Sequence, residues 1–331
     1  DRQGLGLAEP GQGDPQPQGG HEEPRGEVHQ TATHQQAPAH RGGQKPPRGA
    51  AFALQCADHQ GAGQGVQQHR DGFVAGHLGP ALEAGGKGDL KILGYDQNRE
   101  HLKEWVDEMY KDEASARYFD GTAIHWYAST FEVFPEALQY AHQKAPEKHL
   151  IQSEACVDAE VPKWKDDAWY WSREATDWGW DWAPEEDKKY HPEYVPVYRY
   201  ARDIIGCLNN HVDGWVDWNM VLNRQGGPNW FKNWCVAPVI VDPEADEVYF
   251  TPLYYTMSHF SRFIRPGATI LGRELSDDTL LATAAQNPDG SVVVVLLNQG
   301  QEARNISLQL SGKQVAARIN AQAVQTLVIA P

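Results

Sequence analysis

Four apolar runs, at 90–96, 121–128, 148–156 and 212–219, each end in aromatic or carboxylate residues, and segments of helical spacing separate them. That alternation of strand and helix signals predicts parallel strands covered by helices. In such a sheet the ends of the strands share one edge, and side chains placed there meet. Glu154 is the most informative of them, because the string Leu150-Ile151-Gln152-Ser153-Glu154 puts a carboxylate where an apolar run stops and a polar loop begins. It is the candidate catalytic nucleophile.

The intervening segments fit this reading. Residues 71–84 read as a helix with Phe73, Leu78 and Leu82 as apolar points, ended by Gly85, Gly86 and Gly88. A short strand at 90–95 follows, then a helix at 98–110 with Leu102, Trp105, Val106 and Met109 on one face. The next elements are a strand at 122–127, a helix at 135–144, the strand at 148–155 that delivers Glu154, a helix at 198–210 and a strand at 212–221. Between them, 157–194 is too long for a simple connector. It carries Trp164, Trp169, Trp171, Trp178, Trp180 and Trp182, and reads equally as a glycan-binding lip or a self-packed loop.

From Gly267 the pattern turns all-β. Strands at 279–286 and 291–298 flank Asn287-Pro288-Asp289-Gly290, in which Pro fixes φ and Gly accepts a positive one. Further strands at 304–310, 314–319 and 323–329 predict a small β-sandwich. The division expected is therefore 1–70, 71–266 and 267–331.

The first 70 residues do not share in this design. All 12 Trp and all 13 Tyr lie from Tyr95 onward. A segment so poor in buryable side chains does not offset its ordering entropy, so 1–70 reads as disordered or foreign to the fold. Its His21, His29, His34 and His40 have no metal-ligand spacing. Beyond position 70 the chain has 23 basic against 38 acidic residues, which is nearly all of the net charge of -16. A surface of that sign repels phosphate backbones, which argues against nucleic acid and favours a neutral partner such as a sugar. No apolar stretch is long enough to cross a membrane, and no signal-peptide pattern precedes the fold. Cys56, Cys156, Cys207 and Cys235 have neither pair nor metal spacing and read as buried thiols. Asn305-Ile306-Ser307 fits a glycosylation acceptor.

Carboxylates beside Trp platforms favour sugar chemistry, since an aromatic face packs on a pyranose while a carboxylate supports oxocarbenium charge. The strings Gly121-Thr122-Ala123-Ile124-His125-Trp126-Tyr127, Ser153-Glu154-Ala155-Cys156 and Gly214-Trp215-Val216-Asp217-Trp218-Asn219, with Gly226-Gly227-Pro228-Asn229-Trp230 beyond, resemble glycoside hydrolase family 30, the glucosylceramidase family, from about Asp71 to the end. The resemblance implies a (β/α)8 TIM barrel with a C-terminal β-sandwich, this chain holding barrel strands 5 to 8. It implies retaining hydrolysis of β-glucosides such as glucosylceramide or β-linked glucans, with no metal or organic cofactor, in a secreted, periplasmic or lysosomal setting. By position, Glu154 is the nucleophile and Tyr127 holds it by a hydrogen bond. Trp218 and Asn233 line the sugar pocket, Trp126, His125 and Asp217 support it, and Asp96 and Arg99 follow the fifth strand near the catalytic acid.

One part of the pattern is missing. The family ends its fourth strand in an Asn-Glu-Pro string that carries the general acid, and this sequence has none; Glu22-Glu23-Pro24 is the nearest imitation. Retaining hydrolysis needs two carboxyl groups about 5–5.5 Å apart. With one identified, the chain as written is expected to be inactive or poorly folded. The rival readings are a carbohydrate-binding protein without catalysis and a nonfunctional remnant.

Overall fold

Strands β1 (Ala51–Ala53), β2 (Lys91–Asn98), β3 (Gly121–His125) and β4 (His149–Glu154) lie side by side in parallel. The short β5 (Val157–Asp158) stands apart, and β6 (Gly214–Trp215) completes the sheet in the order β1-β2-β3-β4-β6. This is a computed structural model, and it describes residues 51–53, 73–158, 165–172, 195–228, 235–277, 279–310 and 312–331. The half-barrel and sandwich expected from the sequence are both present. The sheet nevertheless begins before the boundary expected at 71, because the backbone of Ala51–Ala53 pairs with Lys91, Ile92 and Leu93. The rest of the 1–70 segment, including Cys56, lies outside the described residues.

A five-residue π-helical turn, Val74–Leu78, runs into α1 (Gly79–Ala84), and a 3-10 turn, Arg99–His101, leads into α2 (Leu102–Met109). Leu102, Trp105, Val106 and Met109 are buried on α2, as the spacing predicts. A short α3 (Glu113–Ala116) is capped by Asp112, whose side chain accepts from Ser115 N at 2.8 Å. The next helix, α4 (Pro135–Lys144), has the predicted bounds, since Pro135 at its first turn loses no hydrogen bond there. These helices bury Ile92, Ile124, Leu138, Leu150 and Val212 in one cluster on the outer face of the sheet.

The centre of the sheet is its tightest point. All five residues of β3 are buried, and a Cβ built on Gly121 would lie 2.4 Å from the His149 backbone oxygen. Only a missing side chain lets β3 and β4 approach this closely. Gly121→Ala is therefore expected to destabilise the protein by about 1–3 kcal/mol, read as a lower urea midpoint. An unchanged midpoint would show that the strands separate without cost.

After β4, the short α5 (Asp167–Tyr170) sets Trp169 and Tyr170 into a core cluster beside α6 (Pro196–Asn209). This part of the Trp-rich insertion is thus self-packed, with Trp171 at its margin; Trp164, Trp178, Trp180 and Trp182 lie outside the described residues. The strand expected at 212–221 is broken in two. Asp217 Oδ1 accepts from Asn219 N at 3.2 Å and turns the chain, so β6 stops at Trp215. Its continuation, β7 (Val221–Asn223), enters another sheet. There it pairs with β9 (Val239–Asp242), which pairs with β10 (Glu247–Phe250), while β8 (Cys235–Val236) joins β5. Apolar character runs through both pieces, so periodicity alone does not expose the break.

Helix α7 (Pro252–Ser261), capped by Thr251, carries the chain to the sandwich. Here β11 (Thr269–Ile270), β12 (Leu280–Gln286), β13 (Val292–Asn298) and β16 (Ala323–Ile329) form one sheet, and β14 (Arg304–Leu310) with β15 (Lys313–Ile319) the other. Every residue of β13 is buried because its two faces serve two cores. Val293, Val295 and Leu297 pack with Val197, Ala201 and Leu253 of α6 and α7. Val292, Val294 and Leu296 pack toward Leu308 and Ile319 of the second sheet. The turn between β12 and β13 is as predicted, with Gly290 at φ +85, and Asn287 ties it to the end of α7 through Phe263 O and Arg265 N.

Candidate active site

Two irregularities at the carboxyl edge of the sheet aim the functional side chains. In β2 the pairing with β3 shifts between Tyr95 and Gln97, and Tyr95 and Asp96 take φ of 74 and 56. In β4 the pairing shifts so that Ile124 faces Gln152 but His125 faces Glu154. An extra residue in one strand reverses which face the following side chains use. Leu150 packs with the helices and Gln152 reaches the Arg99 network beside α6; strict alternation would send Glu154 the same way. The bulge releases it instead to His125.

The result is a small polar cluster. His125 Nε2 lies 3.0 Å from Asp96 Oδ1 and 3.8 Å from Glu154 Oε2. Ser153 Oγ donates to the same Asp96 oxygen at 2.7 Å. Burial pushes the Asp96 pKa up, but hydrogen bonds from His125 and Ser153 outweigh it, so the net shift is downward. Asp96 therefore stays ionised at neutral pH and is unsuited to donate a proton. The imidazole hydrogen-bonds Asp96 and stands next to the Glu154 carboxylate.

Behind this cluster stands a second network. Arg99 is fully buried and forks onto Asp203 of α6, Nη1 to Oδ1 at 2.8 Å and Nη2 to Oδ2 at 2.9 Å. Its Nη2 also donates to Gln152 Oε1 and reaches Cys207 Sγ at 3.2 Å. Trp215 Nε1 donates to Asp203 at 2.8 Å. Burial alone would raise the Asp203 pKa, yet Arg99 overcomes it and the net shift is downward. For Arg99, burial opposes and Asp203 favours the charged form, with a net rise. Gln152 Nε2 then donates to the Glu154 carbonyl at 2.5 Å. Through Gln152, Arg99 links the backbone of the candidate nucleophile to Asp203 of α6. Sequence reasoning missed Gln152, Ser153 and Asp203; a bulge leaves no mark in composition or period.

The remaining predicted residues divide. Tyr127 is half-buried just past β3, its ring edge-on to His125 at 6.1 Å and its hydroxyl 3.5 Å from Cys156 Sγ. Trp218 is half-exposed, and its backbone N–H donates to Ala155 O at 2.8 Å, which keeps it beside the strand end of Glu154. Trp126 is buried in the core, edge-on to Tyr200 and Trp215 with the Arg199 guanidinium over its ring at 3.8 Å. It packs behind the strand ends. Asn233 lies outside the described residues. Among the described residues no group of three or more His, Cys, Asp or Glu is placed to hold a metal ion, and no helix is long and apolar enough to cross a membrane.

Asp217 faces Tyr200, whose hydroxyl donates to Oδ2 at 2.6 Å. Burial pushes its pKa from 3.8 to about 7 against the bonds from Tyr200 and Asn219. The folded state thus keeps a proton that the unfolded chain releases, and stability falls as pH rises from about 4 to about 7. Asp217→Asn removes that dependence. The wild type is expected to lose about 4 kcal/mol more than the variant between pH 4 and pH 8, measured by urea unfolding at both. Parallel losses would mean that Asp217 is ionised throughout.

Parallel strands sheathed in helices, carboxylates where those strands end and a β-sandwich against the helices define a TIM-barrel protein with an appended sandwich. The chain belongs to glycosyl hydrolase family 30. The family's TIM-barrel domain matches residues 45–264 and its beta sandwich domain residues 267–327. The lysosomal acid glucosylceramidase of Mus musculus is 35% identical over 236 residues, covering 71% of this chain and 41% of that protein. An endo-1,6-beta-D-glucanase of Aspergillus fumigatus is 23% identical over 264 residues, covering 78% of this chain and 46% of its own length. The crystal structure of SrfJ from Salmonella typhimurium superposes with a TM-score of 0.67 at 27% identity, covering 80% of this chain and 53% of that one. The chain thus spans less than half the length of these curated relatives.

Proposed function

We propose that this chain carries the nucleophile half of a retaining β-glycosidase of the glucosylceramidase type. Its substrates are β-glucosides, either glucosylceramide or β-linked glucans. The observation that carries the reading is the bulged end of β4, which turns Glu154 away from the helices and sets its carboxylate 3.8 Å from His125. In the reaction Glu154 attacks the anomeric carbon, the glycosidic bond breaks, and the sugar rests as an ester on the enzyme until water releases it with retained configuration. Asp96, itself held by Ser153, fixes the His125 ring, and Gln152 fixes the main chain of Glu154. Trp218 offers an apolar face to the sugar. Relatives named for glucosylceramide and for β-1,6-glucan support a β-glucosyl specificity and leave both aglycones in play.

The test uses 2,4-dinitrophenyl 2-deoxy-2-fluoro-β-glucoside, whose leaving group departs without protonation, so the general acid does not enter the result. Peptide mass spectrometry is expected to find one fluoroglucosyl ester, on Glu154. An ester on another carboxylate, or none on protein shown to be folded by circular dichroism, would overturn the assignment. Glucan binding that persists without any ester would favour the carbohydrate-binding alternative.

A further inference from the structure

We propose that Cys156 and Cys235 are an oxidisable pair that closes into a disulfide and pins together the two segments flanking the candidate site. Their sulfurs are 3.2 Å apart, although the residues are separated by 79 positions along the chain. Both are buried, and with Leu222 and Ala237 they form a cluster of their own against Tyr127. Backbone pairing holds them in place: β5 and β8 run antiparallel, with Val157 opposite Val236 and Asp158 opposite Cys235. Cys156 precedes the first of these pairs and Cys235 belongs to the second, so the two residues lie diagonally across the two-rung ladder, one toward each end, and their side chains converge. A disulfide needs its sulfurs at about 2.05 Å, roughly 1 Å closer than they stand. Cys207, the other described cysteine, provides the contrast, since it lies against Arg99 and Asp203.

The location gives the bond a consequence. Cys156 is two residues beyond Glu154, and Cys235 is two beyond Asn233, which the family resemblance assigns to the sugar pocket. Linking them fixes the exit of the nucleophile's strand to the start of β8. Buried thiols react slowly, so the bond forms while the chain folds, by exchange with a low-molecular-weight disulfide such as oxidised glutathione. The S–H bonds of Cys156 and Cys235 are lost and one S–S bond is made. The two electrons cleave the glutathione disulfide, and the two protons end on the released thiols. Because the crosslink closes a long loop, it stabilises mainly by restricting the unfolded chain.

To test this, the full chain is unfolded and reduced in urea, then refolded in a buffer of reduced and oxidised glutathione. It is quenched in acid, alkylated under denaturing conditions and digested. A second sample, never unfolded, is held in the same buffer. The expected result is a linked peptide pair containing Cys156 and Cys235, lighter by two hydrogen atoms, with both residues lost to alkylation and Cys207 fully alkylated. The linked protein is expected to melt roughly 5 °C or more above its reduced form. The proposal is overturned if both residues alkylate as completely as Cys207 in the folded fraction of each sample. A link from either residue to Cys56 or Cys207 would overturn it equally. The readout is a covalent bond and does not depend on turnover, so it is separable from the glycosidase assignment.

Discussion

Asp203→Ala is expected to cost about 3–5 kcal/mol of stability, a larger loss than the strand clash of Gly121→Ala produces. The reason is the guanidinium it would abandon. Arg99 is fully buried and directs two of its N–H groups at the Asp203 carboxylate. Without that carboxylate a full positive charge stays in the core, helped only by the oxygens of Gln152 and Val133 and the Cys207 sulfur. Trp215 Nε1 loses its acceptor as well. Urea unfolding followed by circular dichroism would show a lower midpoint at unchanged slope. Removing both charges, as in an Arg99→Met, Asp203→Leu double variant, is expected to cost less than the single change, since no buried charge is then left unpaired, although Trp215 Nε1 and Gln152 Oε1 still lose their partners. A single variant within about 0.5 kcal/mol of the wild type would mean that water or rearrangement solvates Arg99.

The second large effect concerns chemistry. Glu154→Gln keeps the shape of the side chain and removes its nucleophilic charge. It is expected to abolish labelling by the fluoroglucoside and, in a form of the protein that turns over, to lower the rate on the order of 10³–10⁶-fold. Glu154→Ala leaves a space at the same place. With a dinitrophenyl β-glucoside, added azide is expected to enter it, restore release of dinitrophenol and yield a glucosyl azide inverted at the anomeric carbon. Retained configuration in that product, or labelling that survives the substitution, would place the nucleophile elsewhere.

Much of this protein could be read before its structure. The strand–helix alternation, the bounds of α4, the Asn287-Pro288-Asp289-Gly290 turn and the sandwich strands all follow from periodicity and from residues with fixed backbone preferences. Glu154 was legible because its place at a strand end coincides with the family strings. What escaped depends on single-residue register. The bulges at Asp96 and Glu154 and the Asx turn at Asp217 each shift one residue's pairing, and the sequence reads much the same with or without them. The ion pair of Arg99 with Asp203 escaped for another reason. Asp203 lies 104 positions away on a helix whose apolar face dominates the local pattern, so no short window contains the pair.

The two faces of β13 bear on how such chains recombine. The sequence changes character near Gly267, and a designer would cut there to exchange sandwiches between relatives. The solid has no seam at that point, because Val293, Val295 and Leu297 complete the packing of α6 and α7. A chimera joined at 267 inherits one parent's helices and the other's strand, mismatched across a dry wall. A crossover placed ahead of α6 keeps that wall from a single ancestor, and chimeras built this way should outnumber the others among those that fold.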